Sequence, residues 1–308
     1  MPVKKLQNLP IDNNFKSPML LPTPSKTAAN VTMALSHPPR ALLFDVFGTC
    51  VDWRTPVTKA LDDQNHTTLN SASVSLASTL RMRASSMDMD AWGKFAQEWR
   101  NTYKAFTKSI ADDPTLAWKT VDEHHFDSLK QLLVKWELAG LWNDDEIRAL
   151  SFIWHRLTPW SDTSSGIKEL NKLFWTVTLS NGNLALLDDL RVYADMDFTH
   201  VFSAELFGSY KPSPVVYRGA VNALGLQPVD CAMVACHLND LKAAKSNGLQ
   251  VIYVERPLEE DWSQQEVENA RNAGWVDLWI GIGQDGFLTM AEKLGVDVGI
   301  RARRAQSA

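Results

Sequence analysis

The chain of 308 residues contains only three cysteines, Cys50, Cys231 and Cys236, with no Cys-x-x-Cys and no histidine pair at zinc spacing. A disulfide framework and a structural zinc site are thereby excluded as sources of stability, and the thiols read as buried apolar residues of a reducing compartment. Long apolar runs are also missing. None reaches the ~18 residues that a membrane-spanning helix needs, and the start shows no charged segment leading into a continuous apolar stretch. Nor is positive charge in excess: 31 Lys and Arg against 36 Asp and Glu give a formal net charge of −5. No basic face is evident that would neutralise phosphates, so nucleic acid is not an expected partner. A cytoplasmic protein that binds neither membrane nor nucleic acid is the expectation.

What is present is an ordinary soluble composition, 45% hydrophobic and 22% charged. At roughly 150 residues per domain, the length suggests about two units sharing a sizeable core. Residues 1–39 carry Pro2, Pro10, Pro18, Pro22, Pro24, Pro38 and Pro39 among Asn, Ser, Thr and Lys, without a sustained period. They read as a disordered tail. The rival reading, a targeting peptide, is disfavoured because no arginine precedes Arg40 and no amphipathic helix is visible.

Order begins at Ala41-Leu42-Leu43-Phe44, an apolar run that ends in Asp45 and the turn-forming Gly48-Thr49. Similar runs recur at 174–179, 231–236 and 251–254, with helical patterns at 183–191 and 214–224 between them. Alternating strands and helices predict a doubly wound parallel α/β sheet, whose ligands sit beyond the carboxyl ends of the strands. Those ends hold Asp45, Ser180-Asn181, His237 and Asp240. The first two strands lie more than a hundred residues apart, far beyond an ordinary connection. The intervening segment shows helical periods at 90–106, 116–136 and 144–157, with Asp144 as the N-cap of the last and a surface loop at 65–79. The expected organisation is a core of residues 40–54 and 159–297, a helical cap of residues 55–158 inserted into it, and a C-terminal tail of residues 298–308.

Taken alone, Asp45-Val46-Phe47-Gly48-Thr49 is compatible with a strand-ending turn, in which Asp and Gly are common. It does not stand alone. Leu179-Ser180-Asn181-Gly182, Tyr210-Lys211-Pro212 through Tyr217, and Ala235-Cys236-His237-Leu238-Asn239-Asp240 follow in order. Together the four blocks resemble the haloacid dehalogenase superfamily, with an Asp nucleophile on the first strand, Ser or Thr on the second, Lys before Pro, and Asp after the fourth. The resemblance covers about residues 40–297 and implies a Rossmann-like core with an inserted cap. Phosphatase members carry a second Asp two residues after the nucleophile as general acid and base. This chain has Phe47 there, which neither donates nor accepts a proton. An aromatic residue at that position resembles the type II, or L-2-haloacid, dehalogenases, whose departing halide needs no proton. Trp99-Arg100-Asn101 followed by Tyr103, and Leu157-Thr158-Pro159-Trp160 at the return from the cap, resemble the same branch.

The resemblance implies hydrolysis of a small 2-haloalkanoic acid through an aspartyl ester. Asp45 would attack, Lys211 would hold it ionised, and Asp240 would position the hydrolytic water. Thr49 and Ser180 would donate hydrogen bonds to the nucleophile or the substrate carboxylate. Asn181 and Arg100 would stabilise the halide, with Phe47 and Tyr217 in the site. Trp118, one of seven tryptophans between Trp92 and Trp160, is the first candidate to line an apolar pocket. The fourth block departs from the branch: Ala235, His237 and Asn239 stand where Ser, Asn and an aromatic residue are typical. His237 becomes a candidate general base for ester hydrolysis. A Mg²⁺ site would want more oxygen ligands than Asp45 and Asp240 supply, so neither a metal nor another cofactor is expected. The alternatives are a Mg²⁺-dependent phosphatase and a non-catalytic binding protein that kept the fold. Family members often pair through cap and core helices, so a homodimer is implied, although the sequence itself does not fix the oligomeric state. His124-His125 reads as a solvated helix pair, and the acidic run Glu255 to Asp261 as a surface loop.

Overall fold

The computed structural model describes residue 35 and residues 37–299, so most of the expected N-terminal tail and residues 300–308 lie outside the described residues. Leu35 is buried in the core and His37 Nε2 lies 3.2 Å from Asp230 Oδ1.

Chain order runs from β1 (Ala41–Phe44) and β2 (Val51–Asp52) into the helices α1 (Arg54–Asn70), α2 (Ser78–Ser85), α3 (Met89–Asp112), α4 (Val121–Lys135) and α5 (Asp144–Ser151). A short β3 (Thr158–Pro159) then leads to α6 (Thr163–Leu170), β4 (Trp175–Ser180), α7 (Leu184–Tyr193), β5 (His200–Ser203) and α8 (Pro214–Ala223). The chain closes with β6 (Cys231–Ala235), α9 (Leu238–Ser246), β7 (Gln250–Val254), α10 (Gln264–Ala273), β8 (Leu278–Ile280) and α11 (Gly286–Lys293). Six strands form one sheet in the order β5-β4-β1-β6-β7-β8, with every pairing parallel. Parallel neighbours require crossover segments, here mostly helices, which is the Rossmann-like α/β architecture that the strand spacing predicts. β5 and β8 are short edge strands that the sequence pattern did not single out.

β1 lies at the centre because Ala-Leu-Leu-Phe offers no polar face: all four residues are buried, with Leu43 beside Val177 on one side and Met233 on the other. Phe44 packs edge-on to Phe198 and Phe287, and each such buried ring contributes about 2 kcal/mol. The chain builds β4 and β5 on one side of β1 and β6 to β8 on the other, so the strand order reverses at β1. A crevice opens at the carboxyl end of a strand where that happens. Asp45 is the first residue beyond it, its N–H still donating to the Val234 carbonyl at 3.0 Å.

Between β2 and β3 the described elements are all helical. α4 starts at a Thr120–Glu123 capping box, which satisfies the orphan amides of its first turn. α5 starts at Asn143 with Glu146 as its reciprocal partner, so Asn143 is the N-cap and Asp144 the first helical residue, correcting the expected cap by one position. The loop expected at 65–79 shrinks to 71–77, because α1 continues to Asn70 and α2 begins at Ser78. Two of its polar side chains are tied into the helical packing. Asn65 Nδ2 donates to the Ala84 carbonyl at 3.1 Å, and Trp142 Nε1 donates to Thr68 Oγ1 at 3.1 Å. His125 corrects another expectation, since it is buried and stacked on Trp154 at 4.6 Å rather than solvated. None of the helices among the described residues is long and apolar enough to cross a membrane.

Candidate active site

The loop after β1 turns sharply at Gly48, whose φ of 87° is open to glycine and strained for any other residue. This turn brings Thr49 back over Asp45, so that Thr49 Oγ1 donates to Asp45 Oδ2 at 2.8 Å while accepting the Cys236 N–H at 3.0 Å. The other carboxylate oxygen, Oδ1, accepts from Lys211 Nζ at 2.9 Å. Lys211 Nζ also donates to Asp240 Oδ2 at 2.5 Å, and the Tyr217 hydroxyl donates to Asp240 Oδ1 at 2.6 Å. One ammonium thus bridges two carboxylates that arrive on the first and fourth blocks. Proline at N1 starts α8 just after Lys211 and carries Tyr217 one turn along the helix to Asp240.

Burial works against charge on Asp45, but Lys211 and then His237 outweigh it and hold the carboxyl well below the usual carboxylate range. Burial likewise disfavours the Lys211 ammonium, and Asp240 and Asp45 raise it above the ordinary lysine value. The Tyr217 phenol is pushed up by burial and by Asp240, which keeps it a donor. The result is a carboxylate favoured in its charged form in a desolvated site, the state that a nucleophilic carboxylate requires.

His237 faces the same carboxylate, with Nδ1 3.3 Å from Asp45 Oδ2 and Nε2 3.6 Å from Glu259 Oε2. Burial opposes its charge, yet Cys236, Asp45 and Glu259 raise it well above the ordinary histidine value. Glu259 is the functional candidate that the sequence pattern missed. The expected surface loop at 255–261 instead sends Glu259 inward, where Trp53 Nε1 donates to Oε2 at 3.0 Å. Arg256 of the same run is buried as well, forked onto Asp162 at 2.6 and 2.8 Å and donating from Nε to the Thr49 carbonyl at 3.0 Å.

Among the remaining predicted residues, Arg100 on α3 reaches the site from the other side. Its Nη2 donates to the Phe47 carbonyl at 3.3 Å, and its guanidinium carbon lies 4.6 Å from the Tyr103 ring and 5.7 Å from the Trp53 ring. Phe47 is buried against Tyr103 and Trp154. Asn181 clamps the Lys211 backbone, accepting its N–H at 2.8 Å and donating to its carbonyl at 3.3 Å. The Ser180 hydroxyl accepts the Gly182 N–H at 3.2 Å, and no hydrogen bond among the described residues joins it to Asp45. Trp118 is 37% exposed and stacks on Tyr210, the residue before Lys211, and no hydrogen bond or ring contact among the described residues joins it to Asp45.

A Mg²⁺ ion at Asp45 would need a set of oxygen donors in octahedral array. The donors present do not fit that requirement: Asp45 and Asp240 are already joined through the Lys211 ammonium, and the Phe47 carbonyl is taken by Arg100. Donor atoms of Cys236, His237 and Glu259 lie within 4.8 Å of one another. The Cys236 thiol, however, is pushed up by burial, and the other two groups are turned toward Asp45 and Trp53, so the cluster reads as a charge network.

The family model described as haloacid dehalogenase-like hydrolase matches residues 39–248, well over half of the chain. The chain belongs to this family. This haloacid dehalogenase-like hydrolase is 23% identical over 220 residues to (S)-2-haloacid dehalogenase 4A of Burkholderia cepacia, covering 70% of this chain and 83% of the relative. Among solved structures, an L-2-haloacid dehalogenase aligns at 31% identity with a TM-score of 0.68, covering 83% of this chain and 98% of the other. A defluorinating L-2-haloacid dehalogenase aligns at 26% identity with a TM-score of 0.67, covering 83% and 95%.

Proposed function

We propose that the protein is a hydrolytic dehalogenase that cleaves the carbon–halogen bond of a small 2-haloalkanoic acid without a metal or other cofactor. The observation that carries this reading is the Asp45 carboxylate, bonded at both oxygens by Lys211 and Thr49, with the aromatic Phe47 two residues on. Such a pair can form and hold a covalent intermediate but cannot shuttle a proton to a leaving oxygen. Halide leaves with its electron pair and requires no proton, whereas an alcohol leaving a phosphate ester does. Similarity to enzymes named as 2-haloacid dehalogenases supports the same chemistry.

In this reading Asp45 displaces halide from the α-carbon and forms an aspartyl ester. Lys211 keeps Asp45 oriented and ionised, and Tyr217 fixes Asp240 for its part in positioning water. Arg100, caged by Phe47, Tyr103 and Trp53, stabilises the departing halide or the substrate carboxylate, in the manner of donors aimed at developing charge. Asn181 acts through its clamp on Lys211, and Ser180 through the turn that carries Asn181. Residues 55–158 serve as the cap that brings Arg100 over the core and excludes water, hinged where the chain crosses at 55 and 158. The cytoplasm is the proposed site of action.

Halide release from a panel of 2-haloacids in chelator-treated buffer tests the proposal, with Asp45→Asn as the control. Release that falls by roughly 10⁴-fold or more in the variant is expected for loss of a nucleophile. Single turnover in ¹⁸O-labelled water should place the label in the Asp45 carboxylate. Phosphate release that requires Mg²⁺, with no halide from any haloacid, would overturn it in favour of phosphatase chemistry.

A further inference from the structure

Glu259 is at the site, yet no step above employs it. Its side chain is 4% exposed, and a carboxylate taken out of water is costly unless paired. Gly48 is shaped to admit it, because a Cβ there would lie 2.2 Å from Glu259 Oε2. The loop that carries Asp45 is therefore built around this carboxylate, and Glu259 in turn faces the far edge of the His237 ring, whose near edge faces Asp45.

In-line displacement sends halide away on the side of the α-carbon opposite the attacking oxygen. A ring nitrogen 3.3 Å from Asp45 Oδ2 stands beside the nucleophile, so it is badly placed to assist the leaving halide and well placed to serve the ester formed on that carboxylate. We infer that Glu259 is a positioning residue which holds the His237 ring with Nδ1 toward Asp45, so that His237 acts as the base in hydrolysis of the Asp45 ester. The inference rests on the dehalogenation reading above.

In the resting enzyme His237 is protonated beside ionised Asp45, with Cys236, Glu259 and Glu260 as the other titratable groups around it. Attack by Asp45 forms the carbon–oxygen bond, breaks the carbon–halogen bond and cancels the Asp45 charge. His237 thereby loses one of the anions that favour its proton and releases that proton to solvent, matching the halide already lost. Neutral Nδ1 then takes a proton from water as the water oxygen bonds to Cγ of Asp45. The tetrahedral centre collapses by breaking the bond to the ester oxygen, and the hydroxy acid leaves with the proton of the newly formed carboxyl group. Asp45 returns as a carboxylate beside protonated His237.

Rapid-quench halide measurement with intact-protein mass spectrometry on Glu259→Gln, using 2-chloropropionate, separates the two half-reactions. The variant should release one equivalent of halide about as fast as the wild type, accumulate the ester, and turn over roughly 10²-fold more slowly. The pH midpoint of its ester hydrolysis should move down, because removing the Glu259 anion lowers the His237 pKa, and Glu259→Asp should restore part of the turnover. Trp53→Phe removes the hydrogen bond to Glu259 and also trims the ring beside Arg100, so it is read as the ratio of ester hydrolysis to its own halide burst; that ratio should fall in the same direction to a smaller extent, and it gives a second reading if Glu259→Gln does not fold. Equal slowing of burst and turnover without ester, or unchanged turnover, overturns the role of Glu259 while leaving dehalogenation intact. A wild-type protein that yields neither halide nor ester overturns both.

Discussion

The two halves of the site handle buried polarity in opposite ways. On the sheet side each charged group is engaged: Lys211 with two carboxylates, Asp45 at both oxygens, Asp240 with Tyr217, and Arg256 in a fork with Asp162. On the inserted helices the polar atoms are left over. Among the described residues, the buried side-chain nitrogen and oxygen atoms without a hydrogen-bond partner all lie on residues 58–154, including Arg100 Nε, both ring nitrogens of His125 and Trp154 Nε1. Burial holds His125 well below the ordinary histidine value, so it adds no second cation next to Arg100. The difference teaches a division of labour. The sheet holds a preorganised set of charges that needs nothing more to be ready, and the helices hold a cation whose aromatic cage leaves donor capacity free for an anionic ligand.

Lys211→Met should have the largest effect. It leaves Asp45 and Asp240 facing one another without their shared cation, and breaking a buried pair this way costs about 3–5 kcal/mol. Denaturant unfolding should report that loss, and halide release should fall with it. Arg100→Lys probes the other half. A lysine cannot reproduce the planar contacts with Tyr103, Phe47 and Trp53, so kcat/KM for halide release should drop roughly 10²-fold while folding stability changes by less than about 1 kcal/mol. A stability loss as large as that of Lys211→Met would break the distinction between the two halves. The smallest effect is expected at their seam. His155 bridges Asp122 on α4 at 3.0 Å and Asp189 on α7 at 2.8 Å. Burial lowers its pKa, but the two aspartates outweigh this and raise it above 6.5. Its contribution is therefore complete below the unfolded value near 6.5 and is lost as pH rises through the higher folded value. His155→Gln should lower stability at pH 6 by about 1 kcal/mol, discounted because Asp189 is 67% exposed and screened. At pH 9 the gap should narrow, as thermal unfolding at the two pH values would show.

Much of the sheet side was legible in the sequence because its residues sit at strand ends, where an apolar run stopping at a polar residue marks the spot. Asp45 and Asp240 are read in this way, Lys211 and Thr49 through the resemblance of their motifs, and the four do converge. Glu259 was not legible, since an acidic run after a strand looks like a solvated loop, and only the tertiary approach of Gly48 and Trp53 turns it inward. His125 was misread although a signal was available. It lies four residues after Val121 and four before Leu129, on the buried stripe of α4, which outranks the polarity of its neighbour His124. The Asn143–Glu146 capping box was likewise visible as Asn-x-x-Glu. Trp118 could not have been placed from sequence, because tryptophan spacing says nothing about which side of Tyr210 it will cover.

β2 and β3 are only two residues each, Val51 opposite Pro159 and Asp52 opposite Thr158, yet they pair the outgoing chain with the returning one. About a hundred residues thus depart from and rejoin the sheet through a single doorway. The strands pair without borrowing a hydrogen bond from anything beyond that doorway, so a longer, shorter or unrelated excursion with ends at the same separation could be grafted there while they keep their order. Evolution can in this way alter the helices beyond the doorway without rebuilding the strand that carries Asp45.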